Sequence, residues 1–446
     1  MINSFKKIKN KEINLQEISE KIFLLGLFLL PSTMSLGILL ILVSSIATLF
    51  FRKDKHIEKN YSILLICISF LMVASCIFQT LNLSNQELYG WEVSLTWLGL
   101  LNWIPFFFLF WSTQFFLKTN SQRINAAKFV ISGSIPILIT GFGQYFLNWQ
   151  GPFKFLYGTI IWYLKPIENH LGLSGLFSNQ NYTGTWLSTI WPLILGLLII
   201  NLEKFYKKSI LIFMIGCFTL AIILTTSRNA ILGIIISIPI VMGLKSLFLI
   251  STILLFIFLL NSSFLPIPTF FSENLTRFLP EQFIDKFNKF GFSNLLEYRR
   301  INLWNNTINL LLKKPIFGYG AAFFPIIYAI KFSDPLYTEQ HTHNIFLEIA
   351  SSYGLLVSLL LIYLILSIFK KAYKSIKYRI SNKKELIFSK SWFASSIIIL
   401  LSQMNDITYY DGRISVILWI LIAGLNKIGS ENKSDEFINN SIKHKY

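Results

Sequence analysis

The sequence predicts an all-α polytopic membrane protein with about twelve transmembrane helices and a large outer loop that contains an amphipathic helix. Three observations predict it. Of 446 residues, 53% are hydrophobic and only 14% charged, with mean hydropathy +0.56, whereas soluble globular chains carry roughly a quarter charged residues. Nearly uncharged runs such as 61–82 and 246–265 approach or reach the roughly 20 residues that span a hydrocarbon core. The excess of Lys and Arg, net charge +18, gathers in short loops between those runs. That is the positive-inside distribution of a membrane protein, not a nucleic-acid-binding surface.

Charge parity orders the elements. Basic clusters at 6–11, 52–59, 118–128, 204–208, Lys245 and 370–384 are assigned to the cytoplasmic side. Keeping both residue 11 and residue 52 inside requires 22–51 to cross twice, as two short helices turning near Pro31 and Ser32. Further spans follow near 61–82, 91–117, 127–147, 186–202, 208–225, 229–244, 246–265, 343–369, 391–405 and 414–428. Every basic cluster then falls on one side. The outer side receives the loop 148–185, the turn Thr226-Ser227-Arg228, the long loop 266–342 and the short loop 406–413.

The chain reads as a single membrane domain, 1–446, with 266–342 as its large outer loop. No repeat with a period of about 20 to 50 residues divides it. The basic start, followed by an apolar stretch without a small-residue cleavage pattern, reads as an uncleaved first helix. Cys67, Cys76 and Cys217 all fall in expected spans, so no disulfide is expected.

Irregular backbone at membrane depth must be covered by protein, so the long loop is expected to fold against the bundle. Within it, 297–312 has Ile301, Trp304, Ile308, Leu311 and Leu312 at helical spacing, an amphipathic helix for the outer interface. Lys313-Lys314-Pro315 ends it, and Gly318-Tyr319-Gly320 makes the next turn. Trp304, Ile308 and Leu311 form the centre of the apolar face, with Arg300 on their stripe and Arg299 aligned with Leu303, Asn306 and Leu310.

Few groups carry chemistry. Of five histidines, His56 and His444 fall inside, leaving His170, His341 and His343 for the outer face. The stretch His341 to Glu348 opens a helix at the membrane surface, where an imidazole near neutrality can accept a hydroxyl proton; an ordinary polar helix start fits equally. Zinc is disfavoured, because residues two apart on a helix point about 200° apart and no Cys or i+4 His supplies a third ligand. Arg228 sits between two apolar spans with hardly any loop, a costly place for a charge and therefore a functional candidate. Arg299 and Arg300 share that surface. Two guanidinium groups converging on an apolar groove would suit a lipid diphosphate, and snorkelling to headgroups is the plain alternative. The segment Gly175 to Gly184, with Asn179, Gln180 and Asn181, is rich in amides and hydroxyls that bind sugars or make turns.

Taken in order, these pieces resemble the O-antigen ligase and O-antigen polymerase superfamily of bacterial polytopic membrane proteins. The matching pieces are Gly175 to Gly184, Ser227-Arg228-Asn229-Ala230, Arg300-x-x-x-Trp304, Pro315-x-x-Gly318-x-Gly320, and His343-Asn344 followed after nine residues by Gly354. They span roughly 175–365. Two positions depart from the family's pattern: Asn229, where glycine is frequent, and Val357, where ligases have Gly, Thr or Tyr. The resemblance leaves ligase and polymerase both open.

It implies a metal-independent glycosyltransferase of the bacterial inner membrane, with its site on the periplasmic side and no cofactor. The donor would be a polyprenyl diphosphate-linked glycan and the acceptor a glycan or lipid core, with membrane lipids as surroundings and no nucleic acid. His343 maps to the family's catalytic histidine and Arg228 and Arg300 to its phosphate-binding arginines. Asn181, Trp304, Gly318, Gly320, Asn344 and Gly354 are carried over as supporting residues. The acceptor hydroxyl would lose its proton to His343 and invert the anomeric carbon, while the arginines stabilise the leaving diphosphate. Two other classes remain. A solute or anion transporter would place its charges near the midplane and show an inverted repeat, which the sequence lacks. A scaffold would tolerate substitution of His343, Arg228 and Arg300.

Overall fold

The computed structural model describes residues 2–51, 59–82, 92–167, 172–248, 251–252, 299–332 and 339–430. Among these, eight helices are long and apolar enough to cross a membrane, and two shorter apolar ones cover Met34–Phe50 and Arg228–Met242. Most of the expected span 246–265, the loop segment 266–298 and His170 lie outside the described residues.

The two-helix opening is present: α1 (Ile2–Leu29) and α2 (Met34–Ala47) turn through Pro31 and Ser32. They approach closely because a Cβ on Gly37 would meet the Leu30 backbone and one on Gly26 the Ile41 side chain. Small residues are how helices pack where lipid is as apolar as leucine. After α3 (Lys59–Asn82), the next span is broken into α4 (Ser94–Gly99) and α5 (Ile104–Thr113). Another is broken before Pro136 into α6 (Asn120–Gly133), opened by a reciprocal Thr119–Gln122 capping box, and α7 (Ile135–Leu147). A small hairpin, β1 (Phe153–Phe155) against β2 (Ile160–Trp162), anchors to the first turn through Trp162 Nε1, which donates to the Ser32 carbonyl at 2.9 Å.

The bundle centre is made by α8 (Gln180–Ile200), α15 (Lys383–Gln403) and α16 (Gly412–Ser430). Of the most apolar window of α16, 94% is buried, against 22% for α9 (Phe205–Leu224), so α9 is an outer wall and α16 a core helix. Close contacts explain the order. Gly196 of α8 meets Ser391 of α15, Gly424 of α16 lies under the Trp392 ring, and Gly233 of α10 (Arg228–Met242) meets Ser188.

Helix alternation brings the starts of α8 and α10, the end of α9 and the loop between α15 and α16 to one end of the bundle. There Leu173 N–H donates to the Leu224 carbonyl, and Asn181 bonds Asp406. The basic segments at Lys118, Lys204–Lys208, Lys245 and Lys383–Lys384 fall at the other end, the separation that charge parity expects.

Two expectations need correction. The single span 343–369 is instead α13 (Ile345–Tyr353) and α14 (Leu355–Tyr378), broken at Gly354 with φ +101°. The cause is the Pro315–Gly320 strand of chain laid against the break: Tyr319 N–H donates to Ser351 O at 2.7 Å, Gly320 to Ser352 O at 3.1 Å, and Leu355 back to Pro315 O at 2.7 Å. Gly318, at φ +65°, lies against the Ser351 carbonyl, and the Phe317 carbonyl accepts from Ser75 and Gln79 of α3. A Cβ on Gly354 would collide with the Ile316 carbonyl. Gly354→Ala is therefore expected to add about 1–3 kcal/mol of backbone strain before that clash is counted. Its melting temperature in detergent should fall clearly below that of the parent, and an unchanged melt would refute the assignment.

The amphipathic helix divides its apolar residues between the protein and the surface. In α11 (Arg299–Leu311) the buried side is Leu303, Thr307, Leu310 and Leu311, whereas Ile301, Ile308 and Leu312 are exposed. Leu303 and Leu310 pack against Tyr319, Phe323, Phe324 and Tyr328 of the following turn and α12 (Phe324–Phe332), so the partner inside the loop sets the inward face. The second correction concerns the histidines.

Candidate functional site

His341 and His343 are not on a helix. α13 begins at Ile345, with Asn344 as its N-cap accepting from the Phe346 and Leu347 N–H groups at 3.0 and 3.3 Å. His343 has φ +53°, a left-handed conformation that is uncommon outside glycine, though histidine, asparagine and aspartate reach it more often than other residues. The backbone reverses there, so the two imidazoles meet edge to face with centroids 4.3 Å apart, where a helix would have separated them.

The surroundings over-determine this turn. The Thr342 N–H donates to Glu348 Oε2 at 3.0 Å, the Thr342 carbonyl accepts from Trp304 Nε1 at 3.0 Å, and the Thr342 hydroxyl donates to Asn344 O at 2.8 Å. Trp304 thereby fastens α11 to the histidine turn. Glu348 is buried and also accepts from Tyr410 OH at 3.3 Å. Burial raises the Glu348 carboxyl above its usual range despite those hydrogen bonds.

His343 Nδ1 lies 3.1 Å from Asp406 Oδ1, and the other Asp406 oxygen accepts from Asn181 Nδ2 at 2.9 Å. Burial alone would raise the Asp406 carboxyl. The hydrogen bond and charge of His343, with the charges of His341 and Arg300, outweigh it and hold the carboxyl low. An ionised carboxylate only accepts, so Nδ1 is the donor, and in the neutral imidazole Nε2 then carries the lone pair. Glu339 Oε2 stands 3.7 Å from Nε2. Burial and the neighbouring His343 charge push His341 down to about 4.

Asp406 was missed in the sequence, where 406–413 is only a short outer loop. The available signal was two acidic residues, Asp406 and Asp411, in a loop between two spans. The loop is held rigid. Tyr409 stacks on Trp103 at 4.5 Å and donates to Asn102 O, while Arg413 pairs with Asp411 and lies 3.6 Å over the Phe177 ring.

The segment Gly175 to Gly184 is a turn built into the fold. Gln144 Oε1 accepts from the Ser174 and Gly175 N–H groups, and Asn179 caps α8. Asn181 projects from that cap to Asp406. Arg228 is the exposed first residue of α10 at the same end, next to Ser227, which packs on Gly184 one turn below Asn181. Arg300 is half-buried, and its charge acts on both His341 and Asp406. The side chain of Arg299 lies outside the described residues. The structure therefore gathers His343, Arg300, Trp304, Asn344 and Asn181 around one turn, puts Arg228 at the same end, and uses Gly318, Gly320 and Gly354 to seat α13.

His341, His343 and Asp406 also place one nitrogen or oxygen each within 4.8 Å of one another, so a third metal-type ligand does exist, in a distant loop.

Residues 210–362 match the family model described as O-antigen ligase. The matched stretch holds Arg228, Arg300, Trp304 and His343, and leaves out Asn181 and Asp406, whose side chains complete the site from either flank. Comparison with curated proteins finds no match. That stretch, about a third of the chain, is similar to O-antigen ligases, and the apolar helices around it fit a multi-pass membrane protein.

Proposed function

We propose that this chain is a glycosyltransferase of the bacterial inner membrane. It moves a glycan from a polyprenyl diphosphate carrier to an acceptor hydroxyl on the periplasmic side, with inversion and without a metal. The observation that carries the reading is the His343–Asp406 pair at one end of an apolar bundle, with Arg300 close enough for its charge to act on Asp406 and on the neighbouring His341.

Asp406 holds His343 in the tautomer whose Nε2 accepts a proton. The acceptor oxygen attacks the anomeric carbon as its proton passes to Nε2, and the bond from that carbon to the phosphate oxygen breaks with its electron pair. The diphosphate leaves as an anion that Arg300 and Arg228 stabilise. Glu339, on the Nε2 side, lies where the acceptor sugar arrives. Proton acceptance at Nε2 and stabilisation of the diphosphate by the arginines cover every step without a metal. Transfer from a lipid-linked donor by the purified protein is thus expected to continue in excess chelator. Loss of activity there, restored by a divalent ion, would overturn the mechanism.

Ligase and polymerase differ in the acceptor. Lipid-linked glycans accumulating in a deletion strain separate them: long chains left on the carrier mark a ligase, single repeats a polymerase.

A further inference from the structure

The catalytic turn also has the makings of a metal trap. We propose that His341, His343 and Asp406 bind a single zinc-class divalent ion, and that this ion silences transfer; the silencing rests on the role just given to His343.

The donor set is two imidazoles and a carboxylate, with one ligand atom from each lying within 4.8 Å of the others. Zinc bonds of roughly 2.0–2.2 Å in a tetrahedron place ligand atoms about 3.3–3.6 Å apart. The His343 Nδ1 to Asp406 Oδ1 separation of 3.1 Å is already close to such an edge. Small rotations of His341, whose Nδ1 now accepts only a long 3.3 Å bond from the His343 N–H, would complete the triangle. The backbone is set for it, since the left-handed turn at His343 brings both rings to the same side. Three protein ligands leave the fourth position to water, the pattern of an open zinc site. Asn181, bonded to the outer Asp406 oxygen, would orient the carboxylate as outer partners of metal ligands do.

Inhibition follows from imidazole chemistry. A neutral imidazole that gives one nitrogen to a metal carries its proton on the other. Whichever nitrogen of His343 the ion takes, no lone pair remains to accept the proton of the acceptor hydroxyl. Turning Asp406 onto the metal also removes the partner that sets the tautomer.

The test measures zinc binding and transfer separately on purified full-length protein. Zinc chloride titrated calorimetrically into the parent should show one site. Its affinity should fall in His341→Ala, in the closer isostere His341→Gln and in Asp406→Asn by more than the roughly 10–100-fold that loss of an outer partner costs. Equal binding by parent and all variants would place the ion elsewhere, for example at His56 or His444, and overturn the site. Transfer by the parent should stop at zinc concentrations that fill the site and return on adding chelator. Each His341 variant, compared with its own zinc-free rate, should resist. A filled site with undiminished transfer would overturn the silencing. If no glycan transfer is found at all, the binding titration still decides the site, so the two readings fail separately.

Discussion

His343→Ala is expected to lower turnover by roughly 10²- to 10⁴-fold, the range for loss of a general base. The expectation stands on three features. The imidazole is held by Asp406 on one nitrogen, its backbone is kept in a left-handed conformation by bonds to Glu348 and Trp304, and the other nitrogen faces the side where Glu339 stands. Asp406→Asn should act through His343: an amide bonds either tautomer, so turnover falls while the KM for donor changes little. His341→Ala should be milder than either, since its Nδ1 accepts only a backbone N–H. A transfer assay with lipid-linked donor, on variants with matched size-exclusion profiles, decides this. Equal, small losses for His343→Ala and His341→Ala would remove the base from the mechanism.

Arg300→Ala is expected to abolish most transfer, and Arg300→Lys to restore little, because a point charge lacks the planar fork that grips two phosphate oxygens. The neighbouring Arg299 is about 100° away around α11 and cannot make the same contact. In the folded protein Arg300 is favoured for a different reason than the apolar stripe offered. The helix turns Leu303, Thr307, Leu310 and Leu311 inward, and Arg300 lies one turn before Leu303 and Trp304 on that side, where its charge reaches His341 and Asp406. Arg299→Ala should keep substantial activity with normal membrane insertion. If instead Arg299→Ala is inactive and Arg300→Ala works, the diphosphate meets the opposite edge of the helix.

Hydropathy and charge made the membrane class and the opening hairpin legible, because burial in lipid demands long uncharged runs whatever their neighbours are. His343, Arg228 and Arg300 stand out in the sequence as rare polar groups near span ends, where a charge is unfavourable unless it has a use. Which apolar residues of α11 meet protein was not legible, because that side is chosen by Tyr319 and Phe324, and periodicity alone sees only which residues are apolar. Nor was the break at Gly354, which depends on hydrogen bonds from a segment more than thirty residues earlier. Asp406 shows the difference most directly. Nothing local distinguishes it from a loop aspartate. Its role exists only because α8, the histidine turn and the loop between α15 and α16 end at the same place, which puts a carboxylate 63 residues away in sequence within 3.1 Å of an imidazole. Residue types and their periods along the chain set what each segment can become, whereas coincidence in space, which fixes tautomers, charge and access, is decided only when the helices pack.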